Sequence, residues 1–259
     1  MRIALTLLAC LADIRPDGLT DDEEKGQALL EAAAQASGAQ AYASVQGSTS
    51  TMRDVWPAPY GFFAPWPETE QSFVIKSVHP SFDTEVLFLD GKAQGTVWGI
   101  SDWKTWEKTE EGEASWSKNK DAQFILPTMH YFMEFPFRML EAPVVRYAGM
   151  EDIDGVSYER IFVTWESVEP TSQYDQYVIY IDPESERIAK AYYTVREAGR
   201  IIAGTMHFLD MREVDGVWFS YEMVVTGKPQ DSLEEPLHRV VVEEIVLGEV
   251  VLQAPITEP

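Results

Sequence analysis

The sequence predicts a mainly β protein (α+β), built on one long antiparallel meander and covered by a few helices. Three observations carry this. Strand-like runs with apolar alternation fill the second half, from Val144 to Val225. Short acidic or glycine turns separate them: Glu151-Asp152-Ile153-Asp154-Gly155, Asp182-Pro183-Glu184-Ser185 and Val214-Asp215-Gly216. Asp-Gly supplies the positive-φ pair that tight hairpins need. Only two stretches show helical spacing. A sheet this wide must cover its apolar face, and what covers it is the functional question.

The elements follow in order. Asp22 to Ser37 reads as a helix, capped by Thr20 or Asp21, with Glu23 and Glu24 at its positive end. Leu29, Leu30, Ala33 and Ala36 share one side, Gly26 weakens the first turn, and Gly38 ends the helix. A first strand is expected from Tyr42 to Val55. Trp56 to Pro67 (Trp-Pro-Ala-Pro-Tyr-Gly-Phe-Phe-Ala-Pro-Trp-Pro) cannot form regular structure, because its four prolines forbid it. Its five aromatics either pack into the core or line a cavity. Strands resume at Gln71 to Val78, Thr84 to Asp90 and Gln94 to Ile100. The charged stretch Lys104 to Lys120 reads as a solvated strand-and-turn edge.

Pro127 to Leu140 reads as a second helix, with Pro127 in its first turn and a kink or end at Pro136. Met129, Phe132, Met133, Phe135 and Phe137 leave it no polar face, so it is buried or awaits a ligand. In the meander, Ile161, Val163 and Trp165 share one strand face, as do Val217, Phe219, Tyr221, Met223 and Val225. His238 to Val251 is expected to be the last strand.

Composition excludes several partners. The 259 residues carry a formal net charge of −23, and the pI is about 4.4. Nucleic acid binding needs clustered Lys and Arg, which are missing here. Anionic lipid would repel the chain, so membrane attachment requires an anchor. Cys10 is the single cysteine, which rules out an intrachain disulfide and a thiolate zinc site.

Met1-Arg2, followed by Ile3 to Ala9, reads as a targeting segment. Leu7-Leu8-Ala9-Cys10 resembles a bacterial lipobox, which implies lipidation at Cys10. Cleavage after Ala12 and a buried cytosolic strand are the alternatives. The organisation is then a signal segment at 1–12, a polar tether at 13–24 and a single β domain at 25–252.

The order of these elements resembles the LolA-like superfamily of periplasmic lipoprotein carriers and envelope lipoproteins, and more narrowly an uncharacterised bacterial subgroup of that type. The resemblance rests on Phe135-Pro136-Phe137-Arg138-Met139-Leu140, on Tyr177-Val178-Ile179-Tyr180-Ile181-Asp182-Pro183-Glu184 and on Val214-Asp215-Gly216-Val217-Trp218. It spans roughly residues 25 to 250. It implies a curved meander forming an incomplete barrel around short helices. In the carriers, acyl chains lie between sheet and helices. Related sensor domains recognise misfolded envelope proteins or lipids. The Trp56–Pro67 segment and the acidity depart from a generic carrier.

Catalytic motifs are missing: there is no G-x-S-x-G elbow, phosphate loop, dinucleotide fingerprint or H-E-x-x-H pair. His79, His130, His207 and His238 lie far apart in the chain, and only His130 neighbours the Phe-rich helix. Asp152-Ile153-Asp154-Gly155 fits a hairpin better than a calcium loop. No metal site and no cofactor are expected.

The sequence therefore points to an exported, lipid-anchored, non-catalytic envelope protein of the periplasm. An apolar ligand, an acyl chain or a lipidated protein, would bind between sheet and helices. Trp56, Phe62, Phe63, Trp66, Phe132, Phe135 and Phe137 are the candidate lining. Two alternatives remain open. One is a partner-binding lipoprotein with a filled core. The other is an envelope glycan hydrolase using two of Glu68, Glu70 and Glu134.

Overall fold

A computed structural model describes residues 11–255, so the lipobox and Cys10 lie outside the described residues. Helix α1 (Glu23–Ala36) is capped by Asp22, whose carboxylate accepts from Lys25 N at 2.9 Å. The cap thus falls one residue after Asp21. Gly26 is needed for close approach: a Cβ there would stand 2.8 Å from the Arg146 carbonyl carbon. Gly38, at φ +94°, turns the chain into a short helix α2 (Ala39–Tyr42). The first strand consequently begins at Gly47 rather than Tyr42.

Six strands follow: β1 (Gly47–Val55), β2 (Glu70–Val78), β3 (Thr84–Phe88), β4 (Val97–Ser101), β5 (Lys104–Lys108) and β6 (Ser115–Trp116). Then come helices α3 (Lys120–Met133) and α4 (Phe135–Arg138). Helix α3 starts seven residues before Pro127, because Asn119 caps it by accepting from Ala122 N at 3.0 Å. Lys120 to Leu126 therefore supply the first turns of the helix, and Pro127 sits inside it, while most of the charged stretch before Lys120 forms β5, β6 and their turns at the sheet edge. The break falls at Glu134, between α3 and α4, where Pro136 led one to expect it.

The second series is β7 (Val144–Ile153), β8 (Val156–Thr164), β9 (Gln176–Ile181), β10 (Ile188–Thr194), β11 (Ala203–Val214), β12 (Val217–Thr226) and β13 (His238–Leu247). Asp154 and Gly155 form the β7–β8 turn at φ +53° and +84°, which is a hairpin and not a calcium loop. All pairings are antiparallel, in one 13-stranded sheet of order β6-β5-β4-β3-β2-β1-β13-β12-β11-β10-β9-β8-β7. The edges β6 and β7 do not pair, so the sheet is not closed into a barrel.

Topology places the helices. The chain must travel from β6 at one edge to β7 at the other, and α3 and α4 make that journey across the apolar face. Helix α3 packs on β3, β4 and β5. Its Tyr131 also meets Tyr177 on β9, with ring centroids 6.2 Å apart. Strands β4 and β9 would be nearly 40 Å apart in a flat sheet at ~4.8 Å per strand. A helix ~10 Å across can touch both only if the sheet curls around it.

One core joins both halves. Met52, Phe73, Val86, Ile161, Ile179, Phe219 and Val240 belong to a single cluster with Phe132, Phe135 and Phe137. The alternating residues of β12, from Val217 to Val225, all enter it as their spacing predicts. The opposite face of β7–β9 carries a smaller cluster around Tyr158, Phe162 and Tyr180. Ile14 joins this second cluster, and Arg196 and Arg160 bond the carbonyls of Ala12 and Asp17 at 2.7 and 2.8 Å. Much of the stretch read as a tether is thus laid against the sheet.

Candidate functional site: the helix–sheet seam and its buried polar cluster

The break at Glu134 turns the aromatic residues of α3 and α4 toward the sheet. Phe132 and Phe135 stack with centroids 5.6 Å apart. Phe135 meets Tyr177 at 5.8 Å and Phe208 at 5.4 Å, while Phe132 meets Tyr193 at 5.0 Å. Phe137 stacks on Tyr42 at 3.9 Å. The Tyr177 and Tyr193 phenols have pKa values pushed up by burial, so they stay neutral in this wall. Between α3–α4 and β10–β12 lies a cavity of about 20 Å³, lined by Phe132, Met133, Phe208, Met211, Trp218 and Met223 among others. That is room for about one water molecule.

The Trp56–Pro67 segment divides in two. Trp56 and Trp66 both donate their indole N–H to Asp54 Oδ2, at 3.0 and 2.8 Å. Trp66 is buried against Phe73 (4.7 Å), and Trp56 stacks on His238 (4.1 Å), whose Nδ1 lies 3.0 Å from Asp54 Oδ1. A single helical turn over Tyr60–Phe63 then carries Phe62 and Phe63 into solvent, 76% and 59% exposed, with centroids 3.9 Å apart. Of the seven predicted lining residues, Phe132 lines the cavity directly. Phe135 and Phe137 lie in the core beside it, Trp56 and Trp66 are anchored on Asp54, and Phe62 and Phe63 stand apart as an exposed pair.

Next to the aromatic wall is a polar cluster that sequence distance hides. His130 and Glu134, one turn apart at the end of α3, meet His79 from the end of β2. His130 Nε2 lies 2.5 Å from Glu134 Oε1, and His79 Nδ1 contacts the same oxygen. Tyr42 Oη lies 2.8 Å from His79 Nδ1. The other oxygen, Oε2, accepts from Arg138 Nε at 2.6 Å. Glu134 is only 1% exposed. Burial alone would raise its pKa, but the hydrogen bonds from His130 and His79 outweigh that and hold it at about 2. Burial lowers the pKa of His130 despite the carboxylate. Burial and the Glu134 charge push the Tyr42 pKa up. The resting cluster is therefore a carboxylate with a neutral His130 and a neutral phenol.

The cluster has a dry side and a wet side. Phe82 packs edge-on to the His130 ring at 5.7 Å, and Arg138 lies over the Phe82 ring at 4.3 Å. Phe82 also forms part of an open pocket of about 260 Å³ with Ser81, Asp83, Ile100, Asp102 and Trp103. The glutamates considered for glycan hydrolysis do not assemble as a catalytic pair. Glu68 pairs with Lys92 (3.2 Å) and Glu70 with Arg53 (2.7 Å) at the surface, whereas Glu134 serves the buried cluster. The sequence signal for the cluster was the spacing His130, Glu134, Arg138, which places all three on one helical face.

No family profile matches the chain, and no curated protein matches its sequence. Solved structures do match in fold. A DUF1329 family protein from Desulfovibrio piger superposes with a TM-score of 0.54 at 15% identity, covering 88% of this chain and 94% of that one. A putative outer membrane lipoprotein-sorting protein domain from Vibrio parahaemolyticus gives 0.53 at 11% identity, covering 89% and 95%. A LolA superfamily protein from Nitrosomonas europaea gives 0.50 at 12% identity, covering 87% and 94%. At these identities the likeness is one of architecture: the open sheet closed over by a kinked apolar helix is a LolA-like fold.

Proposed function

We propose that this protein is a non-catalytic binding protein of the bacterial cell envelope, anchored through Cys10, that takes an apolar chain into the seam between α3–α4 and β10–β12. One observation carries the reading. Phe132 and Met133 on the helical side face Phe208, Met211 and Met223 on the sheet side across a small gap. Methionine and phenylalanine walls of this kind repack around varied apolar guests. The Vibrio structure of this fold is named a putative lipoprotein-sorting domain, which is compatible with an apolar cargo.

The resting cavity of about 20 Å³ is far below the ~300–1,000 Å³ of ordinary ligand pockets. Binding therefore requires α3–α4 to move away from β10–β12. Each buried methylene gains about 0.8 kcal/mol, so a chain of about a dozen gains roughly 10 kcal/mol to drive that opening. The exposed Phe62–Phe63 pair favours a second reading, in which the filled core is rigid and the protein docks a partner through this loop.

Organic extraction of protein purified from its own envelope fraction, followed by mass spectrometry, separates the two. The first reading expects bound acyl lipid and saturable uptake of a fluorescent fatty acid. Met211→Trp, which plugs the seam from its half-buried rim, is expected to weaken uptake at least tenfold with the thermal midpoint retained. Absence of both lipid and saturable uptake leaves the docking reading.

A further inference from the structure

The side chains at the end of α3 are arranged as a metal site. We propose that His79 Nδ1, His130 Nε2 and Glu134 Oε1 bind one divalent transition-metal ion, with Zn²⁺ as the best-suited probe and the Tyr42 hydroxyl at the fourth position. This reading is independent of any apolar ligand.

Convergence is the first argument. The three ligand atoms lie within 4.8 Å of one another, and Tyr42 Oη is 2.8 Å from one of them. Two imidazole nitrogens and a carboxylate suit Zn²⁺, which takes three protein ligands and a further oxygen at ~2.0–2.2 Å. An ion at those bond lengths places ligand atoms roughly 3.3 Å apart. The 2.5 Å separation of His130 Nε2 and Glu134 Oε1 would therefore open by less than ~1 Å.

The supporting shell is the second argument, and the stronger one. The two histidines and the glutamate each have their outward atom next to a different partner. His130 Nδ1 lies 3.0 Å from Thr84 Oγ1, and His79 Nε2 lies 3.4 Å from Ser48 Oγ. Glu134 Oε2 accepts from Arg138 Nε at 2.6 Å. These contacts fix the ring orientations and leave the inward atoms aimed at one point, as outer partners do around bound metals. Thr84 sharpens this further. Its hydroxyl also lies 3.1 Å from the Phe82 carbonyl, its natural acceptor. That second contact fixes the hydroxyl beside the His130 ring.

Charge and access agree. Glu134 and Glu141 (3.4 Å from Arg138 Nη1) set two carboxylates against one guanidinium, so the cluster is anionic before an ion enters. On the wet side, the pocket that Phe82 helps to line also carries Asp83 and Asp102, with Lys104 3.9 Å from Asp102. The ion would pin the end of α3 to the β2–β3 connection, since Glu134 and His130 lie on one and His79 on the other.

The test uses the whole protein, stripped by a chelator and dialysed. Titration with Zn²⁺ and Co²⁺, followed by elemental analysis, is expected to give one equivalent and a raised thermal midpoint. The Co²⁺ form is expected to show the visible bands of a low-symmetry four- or five-coordinate ion. Nitrogen NMR of ¹⁵N-histidine-labelled protein with Zn²⁺ is expected to shift His79 at Nδ1 and His130 at Nε2, leaving His207 and His238 unmoved, and it needs no variant to fold. His130→Ala and Glu134→Gln should each lower Co²⁺ affinity at least tenfold, and His207→Ala should not. Uptake below a tenth of an equivalent, or binding with no change at His79 and His130, overturns the assignment and leaves only loose association with surface carboxylates.

Discussion

Arg138 reaches back across the break between α3 and α4 to donate to Glu134, Nε to Oε2 at 2.6 Å. The bond spans the one point where the helical path is interrupted, and both side chains are buried. Removing the cation strands a buried carboxylate, which typically costs ~3–5 kcal/mol. Arg138→Met is expected to lose about that much in urea unfolding. Adding Glu134→Gln to it should restore part of the loss, because the stranded charge goes too.

Asp54 is expected to matter through its partners and not its charge alone. It takes both indole N–H groups of Trp56 and Trp66 and faces His238. Asp54→Leu leaves these donors without an acceptor, at ~1–3 kcal/mol for each that stays buried. Near-UV circular dichroism should report the loosened tryptophans, and chemical unfolding the lost stability.

Gly26→Ala tests the approach of α1 to β7. On an isolated helix alanine would stabilise by up to ~1 kcal/mol. Here the new Cβ meets Arg146 backbone at 2.8 Å, and backbone cannot swing aside. A net loss of ~1–3 kcal/mol is expected in thermal or urea unfolding.

His207 makes stability fall on mild acidification. Burial, reinforced by the Lys190 charge and opposed by Asp231, lowers its folded pKa to about 4. In the unfolded chain it titrates near ~6.5. Between those values the unfolded state binds the extra proton, so stability is full above ~6.5 and is lost as pH falls toward about 4. His207→Gln, which can still meet Thr226 Oγ1, should flatten the decline between pH ~7 and ~5 by roughly 1–3 kcal/mol. Urea titrations at several pH values read this directly.

Phe62→Ser and Phe63→Ser are expected to leave stability within ~0.5 kcal/mol, because both rings are exposed. If the loop docks a partner, the same changes should release that partner from pull-downs out of envelope extracts. The contrast with Phe135→Ser, which opens a fully buried site, is expected to exceed ~3 kcal/mol.

The meander was legible because its signals are local. Asp154-Gly155 and Asp215-Gly216 force hairpins, and the period of two in Val217 to Val225 names the inner face. The start of α3 was not legible, because Lys118, Lys120 and Asp121 look like an exposed edge until Asn119 is seen capping Ala122 N. The Trp56–Pro67 segment announced itself, but its division into an anchored half and an exposed half depends on Asp54, which its own strand gives no reason to single out. The cluster of His79 with His130 and Glu134 was hidden for a different reason. His79 lies about fifty residues before His130 and Glu134, and only the packing of α3 on β3–β5, next to the end of β2, brings them together.

The placement of β13 has a consequence for how the protein is made. Residues 238–247 follow every other strand in the chain, yet they sit between β1 and β12 as the zip joining the two series. Ser48 pairs with Leu247, a partner that comes far later in the polypeptide. Until that segment is free, β1 and β12 are raw edges, each inviting a foreign strand. Assembly of the finished sheet must therefore wait for late-emerging residues, and a chain truncated before His238 would be an aggregating pair of half-sheets.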